Sequence, residues 1–330
     1  MSKKINYISI FKFIAISLVI IGHIPITPNY IKNFIYAFHM PLFFIIYGYI
    51  KSDHTKYNNK RIGENIENKF SSIIVPYIIW GFIYAGISVS SIKGIIYGSH
   101  ITLKEVSNSS LWFLPTYFIS VLLFDLYQKM ISKKEKTYLI DFILIILSTF
   151  IGIMIPIPSK GVILGLNTAI IGLSLMIIGK YIKKINIDNI NNIRLTILFI
   201  VSSILIMLYK FNSVSYMLFS ELKIGNIFLF YIISILGFIS ILSLSILLDK
   251  TVLKKYNKYI LYIGNNTLVV FALQKLLIGP LTKVLNKIAI IPIIPSIIVV
   301  TIITLIISYF GIKVVNRYIP ELNGKKIKLQ

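Results

Sequence analysis

The chain has 330 residues, 56% of them hydrophobic and only 14% charged, with 34 Lys and Arg against 11 Asp and Glu and no Cys. Such sparse charge cannot wet a globular surface, which excludes a soluble enzyme and a disordered tail. The lack of Cys excludes a disulfide scaffold, a thiol nucleophile and a thiolate metal site. On a soluble domain a net charge of +23 would suggest nucleic acid. In so apolar a chain it reflects the Lys and Arg that membrane proteins keep in cytoplasmic loops, and no nucleic-acid partner is expected.

Ten apolar blocks follow in order, near 7–26, 33–50, 70–90, 110–128, 138–156, 161–180, 194–210, 227–248, 260–280 and 290–312. Each is close to the length of about 20 residues that crosses a bilayer as a helix. Helices are required, because an open strand edge in lipid leaves backbone groups unpaired. The first block is not a cleaved signal: it carries Lys12, lacks a small-residue cleavage site and precedes further spans. With the N-terminus cytoplasmic, the basic residues of alternate loops, Lys180, Lys183, Lys184 and Arg194 among them, outnumber those of the opposite loops roughly three to one. The expected fold class is all-α: a polytopic membrane helix bundle of about ten spans, both termini cytoplasmic, as one domain over 1–330. The longest loops, 51–69 and 91–109, have room for a short amphipathic helix or lid, and no fixed-period repeat is visible.

Ionisable groups inside spans are expensive and are the first functional candidates. Lys12 and His23 are eleven residues apart, close to three helical turns, so they share one face about 16 Å apart along the axis. His39, early in the second block, falls at the depth of His23. Each has a plainer reading: Lys12 as a snorkelling cation, the histidines as helix-packing groups. Pro41, Pro76 and Pro115 interrupt spans and read first as kinks. Trp112 and Tyr117, in SLWFLPTYF, suit an interfacial aromatic belt as well as a substrate contact. Gln274 sits in the ninth block as an interhelical hydrogen-bonding group, followed by Lys275. Asp125 and Lys129 form an i,i+4 pair; Asp141 lies near the end of its block, and Glu221 is a rare loop acid. No metal-ligand spacing, phosphate loop or nucleophile elbow is present.

These segments resemble the acyltransferase 3 family of integral-membrane O-acyltransferases, most closely its fucose-4-O-acetylase-like subgroup acting on cell-surface sugars. The first block carries a basic residue, ten residues and Gly-His, as Lys12 and Gly22-His23. FHMPLFF (Phe38–Phe44), IVPYIIWG (Ile74–Gly81), LWFLPTYF (Leu111–Phe118) and IGNNTLVVFAL (Ile263–Leu273) follow in the family's order. Three positions depart: Ser72 replaces the second member of a basic pair begun by Lys69, Tyr47 replaces a Ser, and Gln274 replaces a His.

The resemblance implies acyl transfer, most often acetyl from acetyl-CoA, to a sugar hydroxyl of a surface or lipid-linked glycan, at a bacterial cytoplasmic membrane and without a metal. It implies His23 as general base, with His39 or Gln274 to orient it or stabilise the oxyanion. Lys12, Lys69 and Arg61 would hold the coenzyme phosphates at the cytoplasmic surface, and Trp112, Tyr117 and Gln274 would contact substrate. Read alone, the polar residues at mid-depth also suit a transporter or flippase for a lipid-linked sugar or small solute. The three departures leave open a relative weakened in catalysis.

Overall fold

The structure, a computed structural model, describes residues 6–52, 62–132, 134, 137–211, 218–251, 258–288 and 292–325. Among these the regular elements are helical, apart from one antiparallel bridge between Leu218 and Lys223. The helices are α1 (Asn6–His23), α2 (Asn29–Tyr36), α3 (His39–Ile50), α4 (Ile62–Lys69), α5 (Val75–Ala85), α6 (Val89–Tyr97), α7 (His100–Val106) and α8 (Phe113–Ile131). Then come α9 (Tyr138–Met154), α10 (Leu166–Lys184), α11 (Asn192–Phe211), α12 (Ile227–Lys250), α13 (Lys258–Gly264), α14 (Thr267–Ile288) and α15 (Ile293–Tyr318).

All ten apolar blocks are helical, and eight helices among the described residues are long and apolar enough to cross a membrane. The other two blocks are α9, an apolar helix of 17 residues, and a π turn, Phe70–Ile74, running from α4 into α5. The loop at 51–69 ends in α4, and that at 91–109 holds α7 and most of α6. Ser88 and Ser99 cap α6 and α7 by accepting the Ser91 and Thr102 backbone N–H groups, each at 3.1 Å.

The chain divides into two compact units. The first comprises Met1–Phe43, Asn186–Met217 and Ile224–Tyr318; the second comprises Phe44–Ile185, Leu218–Lys223 and Ile319–Gln330. Within the first, α1 is the hub, packed on α2, α12, α13, α14 and α15. Lipid supplies no hydrophobic drive between helices, so small residues and polar contacts hold them together. Gly264 lets the end of α13 meet the Ser9 backbone directly, where a Cβ would collide. Beside it, Ser9 Oγ donates to Asn265 Oδ1 at 2.9 Å. On the other flank Phe11 packs on Phe238 of α12, ring centroids 5.1 Å apart. Asn316 reaches Asn266 at 3.4 Å, and Gly311 packs on Leu273, two contacts that make α14 and α15 antiparallel.

The second unit is built on α8, α9 and α10. Gly48 and Gly179 let α3 and α10 touch backbone to backbone: a Cβ on either would run into the Met176 or Ile45 carbonyl. Trp80 Nε1 donates to the Leu322 carbonyl at 3.0 Å, docking the 3₁₀ turn Pro320–Asn323 on α5. Lys180, expected among loop cations, is instead 1% exposed. The helix continues four residues past it, and its ammonium lies 2.8 Å from Asp141, 2.6 Å from the Tyr127 hydroxyl and 3.2 Å from Thr137. Asp141, also 1% exposed, accepts in addition from Tyr127, Thr137 and Tyr181. A buried carboxylate and ammonium satisfied this completely tie three helices together.

Candidate functional site

In the first unit Lys12 and His23 lie on one face of α1. At 100° per residue, Ile16 and Val19 fall on the same face, and each is 1% exposed. That face is buried at Ile16 and Val19, while Lys12 and His23 on it are half-buried. Its flanks are fixed by Phe11 against α12 and Ser9 against the α13–α14 turn.

At the far end of α1, Thr27 Oγ1 donates to the Ile21 carbonyl at 2.8 Å, closing the turn that sends α2 back along α1. Tyr36, the last residue of α2, donates its hydroxyl to the Gly22 carbonyl at 3.1 Å. Its ring stands between the two imidazoles. The centroid distances are 6.5 Å to His23 and 4.9 Å to His39, both edge-on. His39 is 3% exposed, with Nδ1 3.0 Å from the Ile35 carbonyl. A carbonyl only accepts, so this bond requires a proton on Nδ1 and leaves Nε2 of the neutral ring as an acceptor. The expected pairing of His23 with His39 at one depth is thus realised through Tyr36, which sequence reasoning missed. An aromatic residue in an apolar run carries no signal of its own.

Gln274 is fully buried on α14, and neither its amide oxygen nor its nitrogen has a hydrogen-bond partner among the described residues. Its depth follows from the packing. Phe13, one turn beyond Ser9, lines an apolar groove with Ile302, Leu305, Ile306, Tyr309 and Phe310, all earlier on α15 than Asn316. α1 therefore runs against α15 and along α14. Measured from the Ser9–Asn265 contact, Lys12, Gln274 and His23 stand roughly 4, 13 and 21 Å along.

In the second unit Lys69, at the end of α4, pairs with Asp125 of α8, and its ammonium lies 5.7 Å from the Tyr47 ring centroid. Tyr47 hydroxyl is 3.5 Å from the same carboxylate. Asp125 therefore serves Lys69 across 56 residues of sequence, a role the i,i+4 reading with Lys129 did not foresee. The π turn that begins after Lys69 is a rare geometry often found at functional sites. Tyr117 stacks on Phe113 at 5.1 Å and meets Tyr47 at 5.9 Å and Phe44 at 5.7 Å. Trp112, 7% exposed, stands edge-on to Phe113. Trp112 and Tyr117 thus belong to one aromatic cluster with Phe113, Phe44 and Tyr47. Arg61 lies outside the described residues.

Glu221, in the loop before α12, joins His100 (3.2 Å) and Lys223 (2.7 Å). The Lys223 ammonium beside it holds its carboxyl below the usual range. Among the described residues no three His, Asp or Glu side chains converge as metal ligands would.

No curated protein and no solved structure matches the chain. The model of one family, an acyltransferase domain, matches residues 5–313, nearly the whole chain. With that match and its long apolar helices, this chain belongs to the acyltransferase 3 family of membrane acyltransferases.

Proposed function

We propose that the chain is a multi-pass protein of a bacterial cytoplasmic membrane that moves an acetyl group from cytoplasmic acetyl-CoA to a hydroxyl of a surface or lipid-linked sugar, in the manner of the fucose-4-O-acetylase-like subgroup. The observation that carries this reading is the His23–Tyr36–His39 ring series, set beside a face of α1 that bears Lys12 and His23 and is buried between them at Ile16 and Val19. His23 takes the proton of the acceptor hydroxyl as its oxygen attacks the thioester carbonyl carbon. The C–S bond breaks, and the imidazolium returns the proton to the departing sulfur.

His39, whose Nδ1–H is engaged by Ile35, suits orientation through Nε2 rather than donation to an oxyanion. A polyanionic nucleotide needs cations. We assign to it Lys69, with Arg61 from sequence alone, and name Lys12 on α1 as a separate candidate. Trp112 and Tyr117 are the aromatic residues we assign to contact with the sugar.

The reading is tested by incubating protein in lipid nanodiscs with acetyl-labelled acetyl-CoA and a panel of surface glycans. It requires an alkali-labile ester on a sugar, formed by the native chain and lost in His23→Ala. Transport of a lipid-linked sugar without label transfer would replace it with the flippase reading.

A further inference from the structure

Between α1, α13 and α15 the first unit holds a groove of about 420 Å³ that the chemistry above leaves unused. Its walls include Phe13 of α1, Ile263 of α13 and, on α15, Ile302, Ile306, Tyr309 and Phe310. Ile302, Ile306 and Phe310 are each more than half exposed, so the groove opens along α15. From Ile302 to Phe310 it runs about 12 Å. A groove with such walls on a membrane-spanning helix is filled by hydrocarbon, because water finds nothing there to bond.

One end of the groove is charged. At 100° per residue, Ile302, Ile306, Tyr309 and Lys313 fall within an arc of about 60° around α15, so the lysine continues the apolar stripe. Its ammonium lies 4.5 Å from the Tyr309 ring centroid and 5.7 Å from that of Phe310, two of the groove's own walls. Lys313 is also the first charged residue of α15, which marks the level where hydrocarbon gives way to headgroups. Arg317 follows one turn later, exposed like Lys313. The sequence holds no Asp or Glu between Thr251 and Pro320, and among the described residues no carboxylate stands beside Lys313. The stripe thus pairs a slot for an acyl chain with a cationic mouth that lacks a counter-ion.

We propose that this groove seats one anionic phospholipid, of the phosphatidylglycerol type. An acyl chain lies along Ile302–Phe310, and the headgroup phosphate accepts from the Lys313 ammonium, a charge-assisted bond in place of a contact with neutral rings. Arg317 adds to the positive potential at the headgroup. A zwitterionic lipid brings its own cation to the same place and is disfavoured. The charge bias of the loops assigns this end of α15 to the cytoplasmic side, where anionic lipid concentrates. Phe13, the residue after Lys12, puts α1 in the wall, so the bound chain braces the helix that carries His23.

The test is native mass spectrometry of the full chain in detergent, titrated with phosphatidylglycerol or phosphatidylcholine, which counts bound lipids and gives the affinity of the first. The native chain is expected to prefer phosphatidylglycerol by at least about tenfold. Lys313→Gln, at an exposed position that packing tolerates, should cut that preference about fivefold. Ile306→Trp, which fills the slot, should weaken the first phosphatidylglycerol by a similar factor, and Lys283→Gln on α14 should change nothing. Equal native affinity for the two lipids, or an undiminished preference in Lys313→Gln, overturns the proposal. So does unweakened binding in Ile306→Trp, which would place the chain elsewhere. Displacement of the lipid by excess glycerol 3-phosphate would assign Lys313 to a soluble phosphate, and a dimer abolished by Ile306→Trp would assign the groove to a second copy; either result overturns it.

Discussion

The ring of Tyr36 stands 4.9 Å from that of His39, edge-on, while its hydroxyl is held by the carbonyl of Gly22, the residue before His23. One side chain thus sets the spacing of both imidazoles. Tyr36→Phe keeps the ring contacts and deletes a hydrogen bond worth about 1 kcal/mol. If that bond steadies His23 for proton transfer, kcat falls roughly fivefold with the KM for acetyl-CoA unchanged. Steady-state kinetics check this, and a change confined to KM would show that Tyr36 acts on binding instead.

Lys180 and Asp141 give a stability prediction. Removing one member of a buried, fully hydrogen-bonded ion pair strands its partner at a cost of about 3–5 kcal/mol. Lys180→Met or Asp141→Leu alone is therefore expected to lower the thermal unfolding midpoint in detergent sharply. The double variant recovers much of the loss, because two apolar side chains need no partners.

Lys69 and Asp125 give a binding prediction. If Lys69 meets phosphate, Asp125 competes for the same ammonium. Lys69→Met should weaken adenosine 3′,5′-bisphosphate about tenfold, as expected for loss of a charge-assisted contact. Asp125→Asn should strengthen it, and the native affinity should fall with salt. Weaker binding in Asp125→Asn would mean that the carboxylate positions Lys69 instead of competing with the ligand.

Glu221 gives a pH dependence. Its carboxyl is held low by Lys223, so the folded form favours the ionised state. The stability this adds is present above the ordinary carboxylate range and is lost as pH falls through the depressed folded value. The Lys223 partner is exposed, so solvent screens the pair and the contribution is well under about 1 kcal/mol. Glu221→Gln should lower the unfolding midpoint slightly at neutral pH and leave it unchanged in strong acid; melting curves at both pH values decide.

The helices were legible because apolar blocks of bilayer length admit little else, and the Lys12–His23 face followed from helical period alone. The contacts that give these residues meaning were not legible. Lys180 reads as a loop cation because it closes its apolar block, and its partner Asp141 lies 39 residues away. Asp125 has a basic residue one turn along its own helix, so local spacing pointed to Lys129, whereas packing supplied Lys69. Thr304 and Ser308 look like ordinary small polar residues of a membrane helix until burial leaves their hydroxyls unmatched. In each case the decisive quantity is a long-range packing contact, which no local pattern encodes.

We assign the His23 imidazole as the base of an acyl transfer. Its most direct measurement is transfer of labelled acetyl from acetyl-CoA to glycan by His23→Ala, folded and reconstituted beside the native chain. A positioned general base contributes about 10²–10⁴ in rate, so the variant is expected to fall by at least a hundredfold while still binding coenzyme A. Transfer at the native rate would contradict the account.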